Sequence, residues 1–362
     1  MQIRVLSKTL KEVLAQANGI APAKHSNPTL STVLIKVVGD NEVAFIASNG
    51  DVDFRAVIDA EVTGERVDLY ANCSMLNSVV KAAPADTVDL RSEEGSLHIK
   101  SGKFKTKLLL QDTAFAPIVF PTEFEGNISG ETFGEMLDYP RYACATAEYQ
   151  AIFRGLLLEA RNDNTLRTVA TDGFRLAYYS LNEPTGYQGK VVIPANSANV
   201  ASKLISKENV AFSVNDHQFC LKSNNVNLNL RTMEGNFPDY ERVIPSNFPT
   251  TLECDTKDFL GSLNRVATLS DKATNNRIDM VIENDTMTIS AEGSYGQAAE
   301  TISIAQTGRT MKLSFNSNYL SSAMSGRSGI MQLKLSGETS PSVLTFDDYP
   351  AYLAMVVPLR TG

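Results

Sequence analysis

The residues in this chain best suited to chemistry are arranged for recognition. The stretch LRTVATDGFRLAYYS, Leu166 to Ser180, sets Arg175 between Phe174 and Leu176 directly after Asp172-Gly173. A guanidinium presents five donors in a rigid fork, and apolar neighbours on either side can seat apolar groups next to whatever it fixes. The runs before and after Asp172-Gly173 are rich in β-branched and aromatic residues. Asp-Gly between such runs predicts a hairpin with a type I′ turn, positive φ at both central residues. An ordinary hairpin with a solvated arginine carries the same pattern, so the segment gains meaning only from its surroundings.

No catalytic grouping emerges elsewhere. The three histidines, His25, His98 and His217, lie beside no second ligand type at metal spacing. His98 and His217 read as sheet residues, and Asp347-Asp348 reads as a turn. The chain has no Gly-rich phosphate loop, HExxH or nucleophile elbow. A binding or scaffolding role is expected, with no catalytic residue, metal or cofactor.

The elements that must position Arg175 recur three times. A helical stretch with apolar residues at three- and four-residue spacing opens each copy, at 8–14, 131–137 and 256–263. A strand running into a turn follows, at Phe45–Gly50, Thr168–Gly173 and Ile289–Gly293. A second helix then starts after a short strand, near Asn72, Asn196 and Asn316, each close to a serine and each a plausible N-cap. Closing strand pairs end in Phe120-Pro121, Ile244-Pro245 and Val357-Pro358. The copies are of ordinary domain size, with boundaries near Glu125–Asn127 and Thr250–Glu253. Each is expected to be α+β, with mostly antiparallel strands and two helices on one face.

Composition narrows the class without deciding the function. At 362 residues the chain exceeds a single core, and 43% hydrophobic with 20% charged residues describes a globular protein. The N-terminal stretch reads as a short strand and an amphipathic helix, not a signal peptide, and no run reaches membrane-spanning length. Cys73, Cys144, Cys220 and Cys254 are scattered, which points to buried thiols in a reducing cytoplasm. A net charge of −8 discourages a nucleic-acid partner, yet leaves room for one basic face on an acidic body.

Three segments carry a family likeness. LRTVATDGFRLA (Leu166–Ala177), GNFPDYERVIP (Gly235–Pro245) and MVVPLR (Met355–Arg360) together resemble the bacterial DNA polymerase sliding clamp, the beta subunit of the replicase. The resemblance runs the full length of the chain. It implies an α+β fold of three repeated sliding-clamp domains, 1–126, 127–251 and 252–362. Antiparallel sheets would lie outside and two helices per domain inside, forming half of a ring. A head-to-tail homodimer would close the ring around duplex DNA, without reading its sequence, and tether the polymerase III catalytic subunit. The clamp loader and other proteins bearing a clamp-binding motif would share one groove; no membrane is involved, and the protein is expected in the cytoplasm.

The likeness also implies roles for particular residues. The peptide groove would comprise Phe153, Thr171, Gly173, Phe174, Arg175, Leu176, Pro238, Arg242, Val243, Tyr319 and the tail Met355, Val356, Val357, Pro358, Leu359 and Arg360. Lys8, Lys11, Lys24, Arg141, Lys203 and Lys207 would face DNA. Alternation along Lys103-Phe104-Lys105-Thr106-Lys107-Leu108 places the lysines on one side of a strand. That pattern suits a lysine-protected edge. The likeness makes it a dimer contact, with Leu108 meeting Leu269 and the strand around Glu300 of another copy. Phe174 stands where many members carry histidine, and Thr361-Gly362 would carry the terminal carboxylate past its usual place by the groove. A protein-only repeat scaffold and a metal-dependent nucleic-acid hydrolase are the alternatives.

Overall fold

The computed structural model describes residues 1–215 and 217–360. Among them are six α-helices: α1 (Ser7–Ile20), α2 (Cys73–Lys81), α3 (Gly130–Asp138), α4 (Ala195–Leu204), α5 (Thr256–Ala267) and α6 (Ser317–Met324). The α-helices thus come two per repeat, and the sheets between them are antiparallel, an α+β arrangement as expected. In α1 the buried residues Leu10, Val13, Leu14 and Ala17 form one stripe at helical spacing. No helix among the described residues is long and apolar enough to cross a membrane.

The chain divides into two compact units that cut across the sequence repeats. The first, Met1–Gly134 with Thr185–Met233, holds two sheets. One has the strand order Glu61–Thr63, Gln2–Leu6, Thr87–Glu93, Ser96–Ser101, Phe104–Leu109. The other runs Gly126–Ser129, Asn209–Asn215, Gln218–Ser223, Val226–Arg231, Val52–Asp59, Glu42–Ser48, Thr32–Val37, Leu69–Asn72. Its midpoint joins the second repeat to the first, with Leu228 opposite Phe54 and both buried. Phe133 of α3 stacks on Phe212 at 5.5 Å, covering the same sheet.

The second unit, Glu135–Pro184 with the chain from Glu234 onward, repeats this plan. One sheet contains, in order, Gly155–Ala160, Leu166–Thr171, Arg175–Leu181, Tyr352–Val356, Ser342–Phe346, Ile330–Leu335, Thr250–Asp255 and Ala305–Gly308. Here the second repeat meets the third through Arg175–Leu181 and Tyr352–Val356. The other sheet runs Gly296–Ser303, Thr286–Gly293, Arg277–Glu283, Met311–Asn316.

Several local expectations are corrected. Asn72 and Asn316 cap α2 and α6, accepting the amides of Met75 and Asn318, but Asn196 lies inside α4, whose N-cap is Pro194. The strand ending at Gly293 does run into a turn, at Ser294-Tyr295, but Gly293 itself is a strand residue, where a Cβ would collide with the Leu269 carbonyl. His217 sits in the turn before Gln218–Ser223 rather than in a strand. Lys103 belongs to the turn before Phe104–Leu109, which leaves Lys105 and Lys107 as the strand lysines.

Candidate functional site

Thr171 and Leu176 face each other across the hairpin that carries Arg175. The turn differs from the expected one, because positive φ falls on Gly173 alone, at +89°. Asp172 accounts for the shift. Its Oδ1 accepts the amides of Phe174 (2.9 Å) and Arg175 (3.0 Å), an Asx arrangement that moves the turn centre to Gly173-Phe174. Thr171 Oγ1 accepts the Gly173 amide at 3.1 Å.

The same aspartate fixes the arginine. Asp172 Oδ2 lies 2.9 Å from Arg175 Nε, with the two side chains 11% and 14% exposed. The guanidinium carbon sits 4.6 Å from the Tyr319 ring centroid and 5.5 Å from that of Tyr142. Gln150 Nε2 donates to the Asp172 carbonyl at 2.9 Å. Burial raises the Tyr319 hydroxyl above its ordinary pKa, Asp172 adds to that, and Arg175 draws it back. Tyr142 is raised well above its ordinary value, by burial first and by Tyr352, whose hydroxyl donates to it at 2.9 Å. Arg175 is therefore clamped between a carboxylate and two neutral rings, not solvated.

The C-terminal tail completes one wall. Met355 pairs with Leu176 and Val356 with Arg175. Beyond the strand, the Val357 amide donates to the Phe174 carbonyl (2.9 Å) and the Leu359 amide to the Ser314 carbonyl (2.7 Å). Leu176, Met355, Val356 and Pro358 are buried and form a floor, Val357 and Leu359 are half-buried, and Arg360 is exposed. Thr361-Gly362 lie outside the described residues.

The other candidate segment, Gly235–Val243, has anchors of its own. Phe237 meets Phe153 edge to face at 6.0 Å. Tyr240 hydrogen-bonds Glu159 and accepts from Arg161 and Arg167, while Glu241 pairs with Arg161 at 2.6 Å and Arg167 at 3.1 Å. These anchors tie the segment to the strand ends Glu159 and Arg167, remote from the Gly173 turn, and leave Pro238, Arg242 and Val243 exposed. Arg242 pairs with Asp239 at 2.7 Å but its side chain is 84% exposed, so it can turn to a ligand. Phe174 (57%) and Val243 (51%) are unusually open for apolar side chains. The arrangement offers open apolar contacts, one locked donor fork and one movable cation, which is the chemistry of peptide capture.

Models of three domains of the DNA polymerase III beta subunit match this chain: the N-terminal domain over residues 1–117, the central domain over 127–239 and the C-terminal domain over 241–360. The chain belongs to the DNA polymerase III beta subunit family. It is 25% identical to the beta sliding clamp of Pseudomonas aeruginosa over 99% of this chain and all of that one. With the Streptococcus pneumoniae beta sliding clamp it shares 26% over 94% of each. The fold likeness is closer than the sequence: the P. aeruginosa subunit superposes with a TM-score of 0.92 at 24% identity, covering both chains fully. The Streptococcus pyogenes subunit gives 0.94 at 20%, again over both full chains. The two curated relatives are named as sliding clamps.

In this family member the candidate DNA-facing cations divide into two sets. Lys8, Lys24 and Lys203 are exposed. Lys11 donates to the Ala83 carbonyl at 2.9 Å, Arg141 pairs with Asp138 at 3.0 Å and Lys207 with Glu131 at 2.9 Å. The candidate contact strands of this beta-subunit chain are both sheet edges: Phe104–Leu109 closes the five-stranded sheet and Gly296–Ser303 the four-stranded one. Lys103, Lys105 and Lys107 are exposed, while Leu108 and Leu269 are half-buried. Glu300 is already held in a two-point pair with Arg265, at 2.9 and 2.5 Å, which lowers its carboxyl pKa.

Tyr142, Gln150, Arg265 and the Tyr240–Glu241 anchors were not singled out from sequence. Only the run Tyr240-Glu241-Arg242 between Phe237-Pro238 and Val243-Ile244 hinted at the anchors; the others act through contacts distant in the chain.

Proposed function

We propose that the chain is a DNA sliding clamp. Three repeats, 1–126, 127–251 and 252–362, would make each chain half of a ring that a second copy closes head to tail around duplex DNA. Lys8, Lys24 and Lys203 supply inward positive charge, and the paired Arg141 and Lys207 can exchange their surface carboxylates for phosphate at little cost. The exposed edges Phe104–Leu109 and Gly296–Ser303 would add to one another between copies. The polymerase III catalytic subunit, the clamp loader and other motif-bearing proteins would dock at the groove around Arg175 and the Met355–Arg360 tail. Such a role would be carried out in the cytoplasm.

The observation that carries this reading is the groove: a clamped arginine beside exposed Phe174, in a frame made by the chain's own tail. The test is retention on DNA. A clamp stays on nicked circular duplex at high salt and slides off once the circle is cut. Equal loss from both forms would reduce the protein to an ordinary weak binder.

A further inference from the structure

The amide-accepting turn that carries Arg175 occurs a second time in the first unit. Asn49 Oδ1 accepts the amides of Asp51 (3.0 Å) and Val52 (2.8 Å), as Asp172 does for Phe174 and Arg175. Ser48 Oγ accepts the Gly50 amide at 3.1 Å, matching Thr171 and Gly173. Gly50 has φ +92°. The Arg231 amide donates to the Asp51 carbonyl at 2.8 Å, in the place of Val357 and Phe174. Exposed Val119, just before Phe120-Pro121, stands where exposed Val243 stands before Ile244-Pro245.

The backbone frame is shared and the chemistry is reversed. Asp51 replaces Phe174, Asp53 replaces Leu176, Asn229 replaces Met355 and Arg231 replaces Val357, as the strand pairings dictate. A cavity of about 510 Å³ opens there, within the range of ligand sites. Its charged lining residues are Asp51, Asp53 and Arg231, and its apolar side is formed by Leu30, Phe115 and Val119. Phe115 packs against Tyr70, 5.7 Å between ring centroids. Asn229, 1% exposed, spends its amide on the Val119 carbonyl and leaves Oδ1 without a partner beside Asp53 and Val119. Burial pushes the Asp53 carboxyl up, while Ser48 and Arg231 draw it down. A half-buried carboxylate in that position gains from a cation.

The geometry points to a second docking groove at Asp51, Asp53 and Arg231 that takes an extended peptide carrying a basic side chain next to an apolar one. This rests on reading the Arg175 frame as a peptide groove. Two carboxylates against one guanidinium set the charge preference, and Phe115 with Val119 receives the apolar neighbour.

The test uses the full chain and two labelled probes, acetyl-Gly-Leu-Lys-Leu-Gly-amide and its Gly-Leu-Glu-Leu-Gly counterpart, by fluorescence polarisation up to about 1 mM. The lysine probe should bind at least about tenfold tighter than the glutamate probe. Asp53→Asn with Asp51→Asn should erase that preference, and Arg231→Gln should strengthen lysine-probe binding, a gain that misfolding cannot mimic. Arg175→Ala should leave the lysine probe unaffected while weakening a peptide from the polymerase catalytic subunit. No binding of the lysine probe, indifference to the aspartates, or loss with Arg175→Ala would overturn the second groove. Indifference of the polymerase peptide to Arg175→Ala, with the lysine probe still tracking Asp53, would instead overturn the first.

Discussion

Arg175 shows how a flexible side chain becomes a fixed recognition element. Its long stem ordinarily costs rotamer entropy on binding, but Asp172, Tyr142 and Tyr319 have already ordered it. Arg175→Ala should therefore weaken a polymerase-derived peptide by more than tenfold, since a charge-assisted hydrogen bond contributes roughly 1.5–3 kcal/mol. Arg175→Lys should recover little, because a lysine cannot reproduce the planar fork over two rings. Isothermal titration separates these cases, and full recovery by lysine would show that charge alone matters. The hairpin and its arginine were legible in Thr171–Leu176. The turn centre was not, because the Asp172 carboxylate had two competing uses, left-handed backbone or amide acceptor, and only the folded partners chose between them.

At the scale of elements, the helix starts and the tail behave differently from their sequence patterns. Asn72 caps α2 through its side chain, whereas Asn196 lies within α4. Asn72→Ala should cost about 0.5–2 kcal/mol, and Asn196→Ala should stay within roughly ±0.5 kcal/mol; urea unfolding midpoints measure both. The tail likewise has two parts. Tyr352–Val356 is an interior strand of the second unit's sheet, so a deletion from Met355 would damage the fold. Ending the chain at Val356 should remove peptide binding and keep the melting transition within a few degrees. A collapse of that transition would mean that the Val357 and Leu359 hydrogen bonds support the sheet as well as the groove.

For the whole molecule, the prediction concerns ring closure. Leu108→Asp with Leu269→Asp should give a folded monomer in sedimentation, because apolar cover supplies most of such a contact. Lys105→Ala alone should shift dimerisation only slightly, and less at high salt. Glu300 strengthens that expectation: Arg265 already holds it, so a lysine from another copy can only share a satisfied carboxylate. A dimer that survives the double aspartate substitution would place the interface on some other surface.

The family rested on the likeness of three particular segments, while periodicity and turn chemistry in the sequence were enough for the three-fold repeat, two helices per repeat and the antiparallel strands. Those are local signals, written in every copy of the unit. Tertiary structure decided how the repeats join, through Leu228 on Phe54 and Met355 on Leu176, because strand pairing across a long chain separation leaves no local mark. It also decided that Arg175 is clamped, that Glu300 is spoken for by Arg265, and that one turn frame carries apolar side chains at Phe174 and carboxylates at Asp51. Each of these depends on which distant side chain arrives opposite, and that is set by the packing of the whole fold.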